Sequence, residues 1–135
     1  PDTGVVEILR YSVVDDVGTV INALTLAGQI HGGIGQAVGQ ALIEGMQFTP
    51  QRQPLTGSFM DYAMPKAQDM PDLTVDTFET LSPLNPLGAK GIGELPTVAA
   101  PAAITNAVID ALYSTGVRHI DTPLTPEKIW RALNP

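Results

Sequence analysis

Residues 22–46 read "NALTLAGQIHGGIGQAVGQALIEGM", and this stretch predicts a helix with an unusual number of glycines. A glycine inside a helix is less favourable than an alanine by roughly 0.5–1 kcal/mol. This number of glycines therefore requires a compensating reason. Four of them recur three and four residues apart: Gly28, Gly32, Gly35 and Gly39. That spacing places them on one helix face, where another backbone or a large ligand could approach closely. The alternative is a loop at the start, with the helix beginning near Gly33.

Three glutamines follow the same helical spacing and form a polar stripe: Gln29, Gln36 and Gln40. A side-chain amide both donates and accepts hydrogen bonds. The stripe therefore suits a heteroatom-rich ligand, and a solvated helix face is the alternative interpretation.

Strands are predicted in three places around this helix. Residues 5–14 are rich in β-branched and aromatic side chains with apolar residues on both alternating faces, which favours a strand covered on both sides. Residues 58–63, SFMDYA, predict a short strand. Residues 73–80, LTVDTFET, alternate and predict a strand with one solvent-exposed face.

Two further helices are predicted in the last third of the chain. The first runs from about Val98 to Ser114, with Thr97 as its cap, Pro101 in its first turn and Gly116 as its stop. The second is TPEKIWRAL (residues 125–133), with Thr125 as cap, Pro126 at the first position and Trp130 on the buried side. Together the elements predict an α+β fold, a two-layer sandwich in which residues 1–135 form a single domain.

Composition excludes several classes of function. Seven Lys+Arg against fourteen Asp+Glu give a net charge of −7, which argues against binding to nucleic acid or to an anionic membrane surface. The absence of cysteine excludes disulfides, thiol catalysis and cysteine-ligated metals from this chain. Neither a membrane span nor a signal peptide is visible, so a cytoplasmic location is expected. The chain opens PDTGVV without a methionine, as if it were part of something longer.

The stretch GAKGIGELP, residues 88–96, keeps one lysine and one glutamate in a nearly uncharged region. Glycines before a helix expose backbone N–H groups to an anion, but the order of residues does not fit a phosphate-binding P-loop. Glu94 has apolar neighbours in sequence; burial would desolvate its carboxylate, which suits a general base. The alternative is an ion pair between Lys90 and Glu94 that holds the loop.

Other polar residues offer weaker candidates. His31 and His119 are far apart and have no cysteine nearby, so a metal pair is not indicated. Asp15 and Asp16 could bind a cation, although VDDVG is more typical of a plain turn. No serine lies in a motif that would indicate a nucleophilic triad.

Four ordered motifs resemble one family. They are GQIHGGIGQAVGQALIE (28–44), GSFMDYAMPKAQDMPD (57–72), SPLNPLGAKGIGE (82–94) and DTPLTPEKIWRAL (121–133). Together they resemble the C-terminal part of the molybdopterin-binding large subunit of the molybdenum hydroxylases, the family of xanthine dehydrogenase and aldehyde oxidase. The resemblance covers essentially the whole chain and is closest to the aerobic carbon monoxide dehydrogenase-like branch.

The resemblance implies an oxidoreductase function and a set of site residues. It implies that Glu94 is the catalytic base beside the molybdenum, and that Lys90, Gly91, Gly93 and Gln29 contact the pterin. The implied cofactor is molybdenum–molybdopterin, in its cytosine dinucleotide form. The implied partners are the rest of the molybdopterin-binding subunit and iron–sulfur and FAD groups on other subunits or domains, so this chain would not be active alone.

The chain also departs from the carbon monoxide oxidisers. It has no cysteine, and GELPTVAAP (93–101) differs from their GEAGT-type continuation. The substrate class therefore stays open among aldehydes, N-heterocycles and carbon monoxide. A second interpretation also stays open, namely a stand-alone scaffold or interaction domain that kept the fold without the metal chemistry.

Overall fold

A computed structural model of the protein describes residues 2–135. The principal elements, in chain order, are strand β1 (Arg10–Asp15), helix α1 (Ala23–Val38), strand β2 (Asp72–Thr77), helix α2 (Leu95–Ala111) and helix α3 (Pro126–Leu133). Three short helical turns accompany them, a π turn at Gly39–Ile43 and 3₁₀ turns at Ala67–Asp69 and Tyr113–Thr115. No helix within residues 2–135 combines the length and the apolar character that a membrane crossing requires.

The two strands pair in parallel, with Arg10 opposite Asp72 and Asp15 opposite Thr77. A parallel pair needs a crossover connection, and α1 lies within it. Burial alternates along both strands, so the sheet has one inner face and one solvent-exposed face. The solvent-exposed face of β2 was predicted correctly. The prediction of a strand covered on both sides over residues 5–14 was wrong, because β1 begins only at Arg10 and Val14 is exposed.

The core lies between the two long helices and the inner face of the sheet. Its fully buried part consists of aliphatic side chains from α1, from the π turn, from α2 and from the segment around α3: Ile30, Ile34, Ala37, Val38, Ala41, Leu42, Ala100, Ile104, Val108, Leu124 and Ile129. The inner residues of the sheet pack against this cluster, among them Val13 and Val75. Helices covering one side of a small sheet make an α+β two-layer arrangement, as predicted.

Helix α1 starts at Ala23, so the alternative start near Gly33 was wrong. Asn22 caps it, because its side-chain oxygen accepts a hydrogen bond of 3.0 Å from the Thr25 N–H. The helix continues into the π turn, which closes with a 2.7 Å bond from the Glu44 N–H to the Gly39 carbonyl. The Glu44 carboxylate then accepts a 2.6 Å bond from the Tyr62 hydroxyl, which joins the end of the helix to the loop that follows.

Helix α2 begins three residues earlier than predicted. It starts at Leu95, with Glu94 at the cap position and Pro96 in the first turn, where a missing N–H has no consequence. The prediction that Thr97 caps the helix was wrong, because its hydroxyl instead donates a 2.7 Å bond to the Glu94 carbonyl. Pro101 therefore lies inside the helix rather than in its first turn. The helix ends at Ala111 rather than at the predicted Ser114, and Gly116 (φ +91°) ends the 3₁₀ turn that follows rather than the helix itself.

Helix α3 has the predicted start. Thr125 accepts a bond of 3.4 Å from the Lys128 N–H, and Pro126 is the first helical residue. The inward-facing residue is Ile129, whereas Trp130 is 45% exposed, so the predicted burial of Trp130 was wrong. Residues 58–63 form turns rather than the predicted strand.

Candidate functional site

A cleft of about 250 Å³ lies between the start of α1 and the loop that precedes α2. Its walls come from two segments, residues 17–29 and residues 89–92, and they include Gln29 and Lys90. The structure therefore brings together two of the predicted site residues that are distant in sequence. Gly91, Gly93 and Glu94 continue along the same loop on the exposed surface and do not line this cleft.

The loop is fixed to the turn after β1 by main-chain contacts. Gly18 and Ala89 form an antiparallel bridge, and the Lys90 N–H donates a 2.9 Å bond to the Val17 carbonyl. Gly18 has φ +59°, and a Cβ there would lie 2.1 Å from the Gly88 carbonyl oxygen. Both the conformation and the close approach therefore require glycine at position 18.

Lys90 forms an ion pair with Asp16, at 2.7 Å between Nζ and Oδ2. Its ammonium also donates a 2.6 Å bond to the Thr80 hydroxyl, which in turn donates to Asp16. These bonds, together with one from the Gly18 N–H, hold the pKa of the Asp16 carboxyl well below its usual value. The alternative ion pair between Lys90 and Glu94 was therefore wrong.

Glu94 lies at the start of α2 with its carboxylate exposed. Its neighbours Ile92 and Pro96 are half-buried and buried, so the apolar residues turn inward while the carboxylate faces solvent. The expected desolvation of Glu94 is therefore not provided by residues 2–135. The carboxylate makes no capping bond to the helix, and it stands at the N-terminal end, which favours a negative charge.

The predicted glycine face of α1 is only partly open. A Cβ added at Gly28 or Gly32 would meet nothing within 4 Å, whereas one at Gly35 would be 3.4 Å from the Met70 sulfur. At Gly39 it would collide with the Glu44 carboxylate, which covers that end of the face. The open half lies beside the exposed Gln29.

Gly33 makes the close approach that organises the site. It lies on a different face of α1, and a Cβ there would be 2.7 Å from the Pro96 Cβ. The start of α2 thus rests directly on the α1 backbone. Sequence analysis missed this contact and Thr80, and it considered Asp16 only as a candidate cation ligand, not as the partner of Lys90. The Asp-x-Gly spacing of Asp16 and Gly18 was a usable signal, because such residues form side-chain-to-backbone turns.

These residues fit a large ligand with many heteroatoms. Packing within residues 2–135 accounts for neither Gly91 nor Gly93, because a Cβ at either would meet nothing within 4 Å and neither has a positive φ. Their exposed backbone and the exposed Gln29 amide offer hydrogen-bond donors and acceptors to such a ligand. Among the residues that the structure describes, no group of three or more His, Cys, Asp or Glu side chains could hold a metal ion directly.

Comparison with known protein families identifies the family of this chain. The family model described as the molybdopterin cofactor-binding domain matches residues 1–71. The chain belongs to this family. The matched range contains β1, α1 and Gln29, and ends before the loop that carries Lys90 and Glu94.

Relatives match along nearly the whole chain. The chain is 49% identical to the gamma subunit of the 6-hydroxypseudooxynicotine dehydrogenase complex of Paenarthrobacter nicotinovorans, over 96% of this chain and 16% of that relative. It is 39% identical to the carbon monoxide dehydrogenase large chain of Hydrogenophaga pseudoflava, over 97% of this chain and 16% of that one. The predicted relation to the molybdenum hydroxylase large subunits is confirmed. The chain spans 16% of the length of these relatives.

Solved structures confirm the fold. The crystal structure of the Cu,Mo-CO dehydrogenase in its carbon monoxide-reduced state superposes with a TM-score of 0.91, at 37% identity over 97% of this chain and 16% of that one. Quinoline 2-oxidoreductase from Pseudomonas putida 86 gives the same TM-score at 42% identity, over 95% of this chain and 16% of that one. The α+β arrangement is therefore that of the molybdopterin-binding domain in these enzymes.

Proposed function

We propose that this chain forms one wall of the active site of a molybdenum hydroxylase-type oxidoreductase and is the C-terminal domain of a larger molybdopterin-binding subunit. In this proposal it binds a molybdenum–molybdopterin cofactor and supplies Glu94 as the catalytic base. The observation that carries the proposal is the cleft that brings Gln29 to Lys90, together with the exposed Gly91, Gly93 and Glu94, which follow Lys90 along the same loop.

Contacts to the cofactor are proposed from the exposed polar groups. The Gln29 amide and the backbone at Lys90, Gly91 and Gly93 would hold the pterin. From Gln29 to Gln36, another exposed glutamine, α1 rises about 10 Å. This extended run of amide groups supports the longer cytosine dinucleotide form of the cofactor.

A bound molybdenum cofactor supplies the two-electron oxidation of a substrate carbon. Glu94 accepts the proton that hydroxylation releases, and its carboxylate is free to do so because Lys90 is paired with Asp16 instead. Burial of this carboxylate would come from the cofactor and from the rest of the subunit. Elsewhere on the chain, Phe59 and Met60 are 88% and 96% exposed, which supports contact with a further part of the subunit.

The substrate is proposed as an aldehyde, an N-heterocycle or carbon monoxide. Proteins similar to this chain carry names from all three classes: an aldehyde oxidoreductase of Megalodesulfovibrio gigas, quinoline 2-oxidoreductase and carbon monoxide dehydrogenase. Iron–sulfur and FAD groups on partner subunits or domains would carry electrons away, and the complex would be cytoplasmic. Metal analysis of the assembled enzyme with a screen of these three substrate classes tests this part.

The base assignment is tested by Glu94→Gln in the full-length subunit. Loss of a general base typically lowers turnover by about 10²–10⁴-fold, and the amide keeps nearly the same shape, so molybdenum content should stay normal. Glu127→Gln is the matched control, because Glu127 is an exposed glutamate that pairs with Arg131 on α3. Turnover retained in Glu94→Gln at the level of the control would remove Glu94 from the mechanism.

A further inference from the structure

Three separate segments of the chain meet in one polar cluster beside the loop that precedes α2. Asp16 follows β1, Thr80 lies shortly after β2, and Lys90 belongs to the loop before α2. One carboxylate oxygen of Asp16 accepts bonds from the Gly18 N–H at 3.0 Å and the Thr80 N–H at 3.1 Å. The other accepts from the Lys90 ammonium at 2.7 Å and from the Thr80 hydroxyl.

This cluster limits what Lys90 can do for a ligand. An ammonium has three N–H donors, and two of them are used by Asp16 and Thr80. The carboxylate also balances its charge, so Lys90 does not present an unshared positive charge to the cleft. Both side chains are about one-third exposed, at 34% and 33%, so an ion pair here contributes modestly by itself. The main effect of the cluster is to fix the position of the Lys90 side chain.

The loop beyond Lys90 is held at two points. At one end, the Lys90 backbone N–H and its side chain are both bound to the turn of residues 16–18. At the other end, Pro96 rests on Gly33. Between these points Gly91 and Gly93 make no close contact that a Cβ would disturb, and Glu94 is exposed.

We propose that Asp16 and Thr80 are positioning residues, which act through Lys90 to fix the backbone of residues 89–94. Lys90 is then an anchor of the loop as well as part of the cleft wall. The catalytic consequence rests on the proposed function of Glu94, whereas the effect on the loop does not. A loop that carries a base must hold it close to its working position, because a displacement of about 1 Å can lower the rate by 10²-fold.

The test uses a double-mutant cycle in the full-length subunit, with Asp16→Asn, Lys90→Met and both together, and amide hydrogen exchange as the readout. The amides of Ala89 and Lys90, which donate hydrogen bonds to the Asn85 side chain and to the Val17 carbonyl, should exchange at least about 10-fold faster in each single variant, and the double variant should be no faster than Lys90→Met alone, because the residues act as a unit. Amides around Ile104 and Val108 in the core should not change. Thr80→Val should give a smaller acceleration in the same loop.

Asp76→Asn is the matched control, because Asp76 is exposed on β2 and also accepts a backbone hydrogen bond, from Thr77. Unchanged loop exchange in Asp16→Asn, or equal acceleration of loop and core, would overturn the proposal. In the assembled enzyme, Asp16→Asn should lower kcat about 10-fold with KM and molybdenum content nearly unchanged. If Glu94→Gln remains active while Asp16→Asn still loosens the loop, the proposed base fails and the positioning role stands.

Discussion

Adjacent glycines in α1 provide a test of how the site is assembled. Alanine at position 33 would place a Cβ 2.7 Å from the Pro96 Cβ and 3.1 Å from its Cγ, whereas alanine at position 32 would meet nothing within 4 Å. Comfortable carbon–carbon contact begins near 3.5 Å, so the start of α2 would have to retreat by about 0.8 Å. The two substitutions are chemically identical and lie one residue apart, but only one meets the opposing helix.

The expected magnitudes follow from two opposing effects. Alanine is favoured over glycine inside a helix by about 0.5–1 kcal/mol, so Gly32→Ala should raise the free energy of unfolding by that amount. Overpacking typically costs about 1–3 kcal/mol, so Gly33→Ala should lower it by up to about 2.5 kcal/mol. The difference between the variants isolates the contact with Pro96, at about 1–3 kcal/mol.

Urea unfolding of the 135-residue chain, followed by far-UV circular dichroism, measures both variants under the same conditions. The slope of the free energy of unfolding against urea concentration should be the same for both variants, so their midpoints can be compared directly. A Gly33→Ala variant as stable as Gly32→Ala would show that α2 does not rest on the α1 backbone at this point. The proposed support of the Glu94 loop at its second end would then be lost.

Two further predictions concern the cleft. Gln29→Ala in the full-length subunit should lower molybdopterin retention about 2- to 10-fold, because one net hydrogen bond is lost. Pterin content after gel filtration measures the retention. The control is Gln53→Ala, at an exposed loop glutamine, and equal pterin content in the two variants would contradict a contact between Gln29 and the pterin. The lowered pKa of Asp16, caused by bonds from Lys90, Thr80 and Gly18, contributes stability that is present above the ordinary aspartate pKa and is lost as the pH falls below about 4. Between pH 6 and pH 3 the free energy of unfolding should therefore fall less in Asp16→Asn than in the unsubstituted chain. An equal fall in both would contradict a stabilising role for the Asp16 carboxylate.

Local sequence signals predicted the elements whose ends are set by neighbouring residues. Thr125 and Pro126 correctly located the start of α3, and the alternation of residues 73–80 correctly identified a strand with one exposed face. The start of α2 was misplaced because Thr97 resembles a cap, while the actual cap residue, Glu94, forms no side-chain capping bond. Trp130 was misassigned because Ile129, its neighbour, occupies the inward position on a short helix.

The site was predictable only in part. Motif order supported the family, and Gln29 and Lys90 do share a cleft. The partner of Lys90 could not be found in the sequence, because Asp16 is 74 residues away and Glu94 offered a nearer carboxylate. Exposure of Glu94 also depends on how α2 meets α1, a tertiary contact that local hydrophobicity does not encode. The roles of Gln29, Lys90, Gly91, Gly93 and Glu94 remain predictions.

Pro101 interrupts the backbone hydrogen bonds of α2. Since proline has no N–H, the Thr97 carbonyl receives no bond from the residue four positions later. On one side of this interruption lies the short opening segment, with Glu94 at its start and Pro96 against α1; on the other side Ile104 and Val108 are anchored in the core. The opening turn at Glu94 is therefore joined to the buried part of the helix by one backbone hydrogen bond fewer than in an uninterrupted helix, and its position depends correspondingly more on the contact of Pro96 with Gly33.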